Sequence, residues 1–271
     1  GCCYSKSNAR NATPDPPIEL IESALQKLSN AHVSSIVISG GEPFLRDDLT
    51  DIVHYAKSDC NIPNVSIITN GLALAEHDLK ALSKYVNHVA VSFDGANGHS
   101  AARIRGSQRF EQLAEAIHQL KSAEIAASIL PTIHALNIKE IVDYVKLSAK
   151  LEIDLSFSIL SPPSSGESTR ELAFNEKSLT ELHETMVSAL GSASSIADMP
   201  TGLSISFRRR CEAGVGIISV DADGRVYPCH MLMCKEFSMG NIFEQPLDEI
   251  MSSSIAQKFG DLDVERFVQC K

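Results

Sequence analysis

The strongest constraint on this chain is a regular alternation of two hydrophobic periods. Ile21, Ala24, Leu25 and Leu28 recur at helical spacing, and the β-rich run VSSIVIS at 33–39 follows them. The pattern repeats as a helix over 47–58, a strand VSIIT at 65–69, a helix over 75–85 and a strand HVAVSF at 88–93. It continues as a helix over 110–123, a strand near 125–133, a helix over 138–150 and a strand DLSFSIL at 154–160. Strands joined by single helices demand right-handed crossovers and a parallel sheet. The series therefore builds either a doubly wound sheet or a full or partial βα barrel.

The alternation stops at SPPSSGES, 161–168, a turn-rich break. A helical stretch at 176–191 and the small-residue run GSASS read as a connector, and a second unit follows. In GIISVDADGRVYPC two alternating runs flank Asp223-Gly224, a strong hairpin signal, and LDEIMSSSIAQKF at 247–259 reads as a helix. The expected organisation is a βα domain over 1–165, a helical connector over 166–207 and a small C-terminal α+β domain over 208–271. The 271 residues give room for both cores.

Charge and cysteine usage exclude several classes of function. Net charge is −10 and the only dense basic run is Arg208-Arg209-Arg210, so no nucleic-acid partner is expected. No apolar run reaches the roughly 20 residues that span a bilayer, so no membrane partner is expected either. Seven cysteines is an odd number, which fits intracellular metal or cluster ligation better than a disulfide framework and predicts a cytoplasmic location. No signal peptide is visible; the chain opens on GCCYSKS without Met, and Gly1 reads as a ragged edge.

Polar residues collect where the strands end. SGGEPFLR, Ser39 to Arg46, closes one strand with Gly40, Gly41, Glu42 and Pro43 just before a helix. In a parallel βα fold this is the face where ligands bind, and a glutamate there can accept hydrogen bonds from a ligand ammonium; the bland alternative is a loop with a solvated Glu. Thr69-Asn70-Gly71 ends the next strand, and Ser92 and Asp94, two apart and so on one face, end another. Both could meet the hydroxyls of one ribose, or serve as turns and caps.

These residues and the cysteine-rich start resemble the radical S-adenosylmethionine (SAM) superfamily. Its C-x3-C-x2-C-aromatic signature matches at its last cysteine and the aromatic, Cys3-Tyr4. The other two ligands would precede Gly1, with Cys2 a bystander; in the alternative assignment Cys2 is the ligand and the aromatic is displaced by one. The resemblance implies a partial (β/α)6 TIM-type barrel. Gly40, Gly41, Glu42 and Pro43 would meet the methionyl ammonium, Ser92 and Asp94 the ribose, and Tyr4, Thr69 and Asn70 would complete the cofactor-binding rim. His99, Arg103, Arg105 and Gly106 are similar to the family's H-D-x-x-R-G stretch, but Ser100 replaces the Asp and two extra residues intervene. The methionyl carboxylate would fall to Arg105, with Arg103 as the alternative. Thr132 and Asn137 are further candidates on the same rim. No catalytic side chain is assigned.

Cys211, Gly224 and Cys229 fit the opening of the SPASM pattern, C-x9-15-G-x4-C, and FSMGNI at 237–242 is similar to its next segment. The resemblance implies that Cys211, Cys229 and Cys270 bind two auxiliary 4Fe-4S clusters, beside a radical SAM cluster at Cys3. Zinc held by Cys211, Cys229, His230 and Cys234 is the competing account of the C-terminal thiols. Cys60 reads as a small buried hydrophobe, and Asp221-x-Asp223-Gly224 as a hairpin turn rather than a calcium loop. What the family implies is a SAM-cleaving enzyme that modifies a ribosomally made peptide, through a thioether or carbon–carbon crosslink. A reducing partner such as ferredoxin or flavodoxin would supply its electron. A formylglycine-generating maturase is the alternative enzyme, and a non-catalytic metal-binding scaffold the alternative of another class.

Overall fold

The structure, a computed structural model, describes residues 14–96, 109–160, 171–190 and 212–260. It has two compact units. One contains Val37–Asp47 and the described part of 65–205; the other contains the described parts of 5–36 and 206–271, with Asp48–Asn64. The units thus group the chain by space, where the sequence reading drew boundaries at 165 and 207 along its length.

The elements follow the predicted alternation. Helix α1, Ile18–Asn30, leads to β1, Ser35–Ile38; α2, Leu49–His54, leads to β2, Asn64–Thr69; and α3, Leu79–Leu82, leads to β3, His88–Ser92. Then come α4, Arg109–Ser122, β4, Ala127–Leu130, β5, Thr132–Ile133, α5, Ile141–Leu151, β6, Asp154–Leu155, β7, Ser158–Ile159, and α6, Glu176–Leu190. Five strands form one sheet in the order β1-β2-β3-β4-β6, with the β2–β3, β3–β4 and β4–β6 pairs parallel. The sequence read 125–133 as one strand, but Pro131 has no N–H to donate and splits it. The partner strand splits likewise, and β5 and β7 form a second parallel pair. The helix expected over 75–85 is also divided, because His77 turns aside and Asp78 restarts the helix by accepting from the Ala81 N–H at 3.0 Å.

Alternation along the strands assigns the two faces of this sheet. Val65, Ile67, Thr69, Val89, Val91, Ile129 and Leu155 are buried on one face. The other face is more mixed and several of its side chains are half-buried: Ser66 and Ile68 on β2, His88, Ala90 and Ser92 on β3, Ser128 and Leu130 on β4.

In the other unit, β8, Ser219–Val220, β9, Arg225–Tyr227, and β10, Gly240–Asn241, make a small antiparallel sheet. The predicted hairpin turn is present: the Gly224 N–H donates to Asp221 O at 2.9 Å with Gly224 at φ +82°. A Cβ there would lie 2.4 Å from both Asn241 Oδ1 and Phe243 Cδ2, so only glycine fits. The helix expected at 247–259 is two short ones, α7, Leu247–Met251, and α8, Ser254–Gly260. Their apolar faces and the sheet enclose a core of Val226, Met239, Ile242, Leu247, Ile250 and Ala256 that also includes Ala24 of α1. Cys60 is buried, as expected, behind a π-helical turn in which its N–H reaches Tyr55 O. Among the described residues, no helix is long and apolar enough to cross a membrane.

Candidate functional site

Glu42 organises the carboxyl rim of the sheet. Gly40, at φ +121°, turns the chain out of β1. The buried Pro43 then begins a short 3-10 turn whose Phe44 N–H donates to Glu42 Oε1 at 3.2 Å. The same oxygen accepts from the Thr69 hydroxyl at 2.6 Å, and Oε2 accepts from the Asn70 N–H at 2.7 Å. The carboxylate therefore ties the end of β1 to the end of β2. Thr69, only 2% exposed, stands beneath it and also accepts from the Gly71 N–H, while the Asn70 side chain accepts from Leu72 N–H. Of the four lone-pair positions a carboxylate offers, one on Oε2 is left among the described residues. Gly40 and Gly41 are exposed beside it, with no atom within 4 Å of where a Cβ would stand.

The end of β3 is built differently. Asp94 is 9% exposed and its Oδ1 accepts from the Thr132 N–H at 3.4 Å, joining the ends of β3 and β5. The loop carrying Asp94 is held from below by α5: the Gly95 N–H donates to the Tyr144 hydroxyl at 2.6 Å, and the Ala96 N–H to Glu140 Oε2 at 3.3 Å. Tyr144 is fully enclosed, and burial pushes its hydroxyl far above the usual tyrosine range, so it stays protonated. Ser92, half-buried, closes β3 two residues before Asp94. Asn137, 3% exposed, bridges the loop after β5, accepting from the His134 N–H at 2.7 Å and donating to Thr132 O at 2.9 Å.

The structure thus ties Glu42, Thr69 and Asn70 into one bonded cluster, with Gly40, Gly41 and Pro43 flanking Glu42 in the chain, and Asp94 and Thr132 into another. Thr69, Pro43 and Asn137 act here as supports. Sequence reasoning passed over Tyr144, Glu140 and His134, which stand on or next to α5 and β5. The spacing His134-x-x-Asn137, with an Asn able to clamp the loop, was the available signal.

Cys229 and Cys234 are half-buried free thiols, and the hairpin sets Cys229 just beyond β9. Tyr4, Arg105, Cys3, Cys211 and Cys270 lie outside the described residues, as do His99 and Arg103. Among the described residues no group of three or more His, Cys, Asp or Glu is placed to hold a metal ion.

Comparison with known proteins bears on this geometry. The sequence profile of the radical SAM superfamily matches residues 1–148, and that of SPASM, an iron-sulfur cluster-binding domain, matches residues 211–271. The mycofactocin maturase MftC of Mycolicibacterium smegmatis is 27% identical over 89% of this chain and 63% of its own length. The antilisterial bacteriocin subtilosin biosynthesis protein AlbA of Bacillus subtilis is 24% identical over 98% of this chain and 59% of its own length. The chain therefore spans about six-tenths of these curated relatives. Among solved structures, anSMEcpe with bound AdoMet superposes with a TM-score of 0.77 at 18% identity, covering 95% of this chain and 78% of that one. The same protein is also solved with AdoMet and a Cp18Cys peptide, at a TM-score of 0.75.

Proposed function

We infer that this chain, which belongs to the radical SAM superfamily, is the catalytic part of an enzyme that modifies a ribosomally made peptide. The carrying observation is the Glu42 cluster. A carboxylate held by three protein donors keeps one acceptor position, beside two glycines with open space above them. That arrangement fits the ammonium of a methionyl group: the anion is oriented in advance and the bare backbone permits close approach. The buried Asp94, with Ser92 on its face, fits a ribose. When bound, SAM and a 4Fe-4S cluster supply a radical able to take an unactivated hydrogen, and the protein's own task is placement and exclusion of water.

In this reading Glu42, Gly40 and Gly41 hold the amino-acid end, with Thr69, Asn70 and Pro43 supporting them. Ser92 and Asp94 hold the nucleoside, and Arg105 and Tyr4 complete the site. Cys3 belongs to the radical SAM cluster, and Cys211, Cys229 and Cys270 to two auxiliary clusters. A peptide substrate is supported by the maturase and bacteriocin-biosynthesis names of the relatives and by the peptide bound in anSMEcpe. The product we assign is a thioether or carbon–carbon crosslink. A small reducing protein, such as a ferredoxin or flavodoxin, supplies the electron, and the thiols require a reducing intracellular compartment such as the cytoplasm.

The test is mass spectrometry of a precursor peptide after incubation with the full-length enzyme, reconstituted without oxygen. The expected product has lost two hydrogens, and the loss persists under a thiol reductant that would reverse a disulfide of the same mass. Loss of sulfur from a cysteine would mark formylglycine formation instead, and absence of 5′-deoxyadenosine from SAM would return the chain to a non-catalytic scaffold.

A further inference from the structure

His134 is held as though to present one hydrogen-bond donor. Its backbone N–H donates to Asn137 Oδ1, and its ring Nδ1 accepts from the Leu136 N–H at 3.2 Å. An accepting Nδ1 assigns the neutral tautomer with hydrogen on Nε2. Burial favours that neutral ring and outweighs the opposing pull of the Asp94 and Glu140 carboxylates. Both the main chain and the ring plane are thus fixed, yet Nε2–H has no acceptor among the described residues. His134 is half-buried and directly follows β5, two residues after Thr132. The Thr132 N–H is the group bonded to Asp94.

We propose that His134 is a nucleoside-positioning residue, its Nε2–H donating to an acceptor atom of the adenosine part of SAM beside Asp94. This rests on the functional reading above, and it adds a side chain to that site from the strand end that also carries Thr132 and Asn137. The chemistry selects the nucleoside over the methionyl end, because the ammonium offers donors only, whereas ribose hydroxyls and adenine ring nitrogens accept.

The experiment is anaerobic equilibrium binding to the reconstituted full-length protein, with S-adenosylhomocysteine, 5′-deoxyadenosine and methionine as probes. His134→Ala should weaken the two adenosine-containing ligands by about threefold to tenfold, the size expected of one hydrogen bond, and leave methionine unchanged. His134→Gln, whose amide restores an N–H at similar reach, should recover most of the loss. Equal affinities in wild type and His134→Ala would overturn the proposal. So would weakening of methionine alongside the nucleosides, loss that Gln fails to restore, or an effect confined to peptide affinity. If wild type binds none of the probes, the cofactor reading itself fails, a result distinct from any of these.

Discussion

At the scale of single residues, Glu42 does two jobs with one carboxylate. Its three protein bonds all come from donors: the Phe44 N–H, the Thr69 hydroxyl and the Asn70 N–H. Replacing it by Gln keeps the size but must set an NH2 group against one of them, most directly the Asn70 N–H. Two donors then face each other in a half-buried site, which costs about 1–3 kcal/mol. The charge that would hold an ammonium is lost as well. Glu42→Gln is therefore expected to lower the melting temperature and, separately, to weaken methionine and S-adenosylhomocysteine binding tenfold or more; unchanged melting would mean the bonds to β2 are not what holds this rim. The sequence made Glu42 readable because Gly-Gly-Glu-Pro after a β-rich run is a local pattern. That Thr69 would lie under the carboxylate was not readable, since the two are 27 residues apart and meet only through strand pairing.

At the scale of elements, α5 is a scaffold for the end of β3. Its Tyr144 hydroxyl and the Glu140 carboxylate just before it take the N–H groups of Gly95 and Ala96, the two residues after Asp94. Tyr144→Phe removes the acceptor and leaves the Gly95 N–H buried and unpaired, a loss of about 1–3 kcal/mol. The expected result is a lower melting temperature together with weaker adenosine binding, because Asp94 loses its fixed position while Glu42 keeps its own. Titration of 5′-deoxyadenosine and methionine separates the two ends; an equal loss at both would contradict this division. The strands and helices themselves were legible from periodicity, because the 2.0 and 3.6 periods are written in neighbouring residues. The breaks were less so. Pro131 announces its own, but the division near His77 depends on a ring that bonds Phe44 O from 33 residues away, at 2.8 Å.

At the scale of the molecule, the unit that carries Cys229 is not built from the C-terminal segment alone. Ala24 of α1 lies in the same core as Val226, Met239, Ile242, Leu247, Ile250 and Ala256. Lys27, one turn further on, donates through Nζ to Ile242 O at 2.5 Å and Gln245 O at 3.0 Å. No periodicity could reveal this: the pattern of α1 shows that one face is apolar, not what that face meets, and adjacency in sequence pointed to the βα series. The consequence is that a change in the first helix should be felt more than 200 residues away in the chain. Ala24→Asp buries a carboxylate without a partner, which costs several kcal/mol unless the core opens. Hydrogen exchange followed by mass spectrometry is expected to show faster exchange in peptides covering 225–227, 239–242 and 247–251, with those covering β2, β3 and β4 unchanged. Lys27→Met, which removes two hydrogen bonds but adds no buried charge, should produce the same pattern more weakly. Acceleration spread evenly over both units would mean that they unfold as one, and no acceleration at 225–251 would mean that the C-terminal core holds without α1. Either result would change how the cluster-binding domain can be studied, since only in the second could it be expressed apart from the first helix.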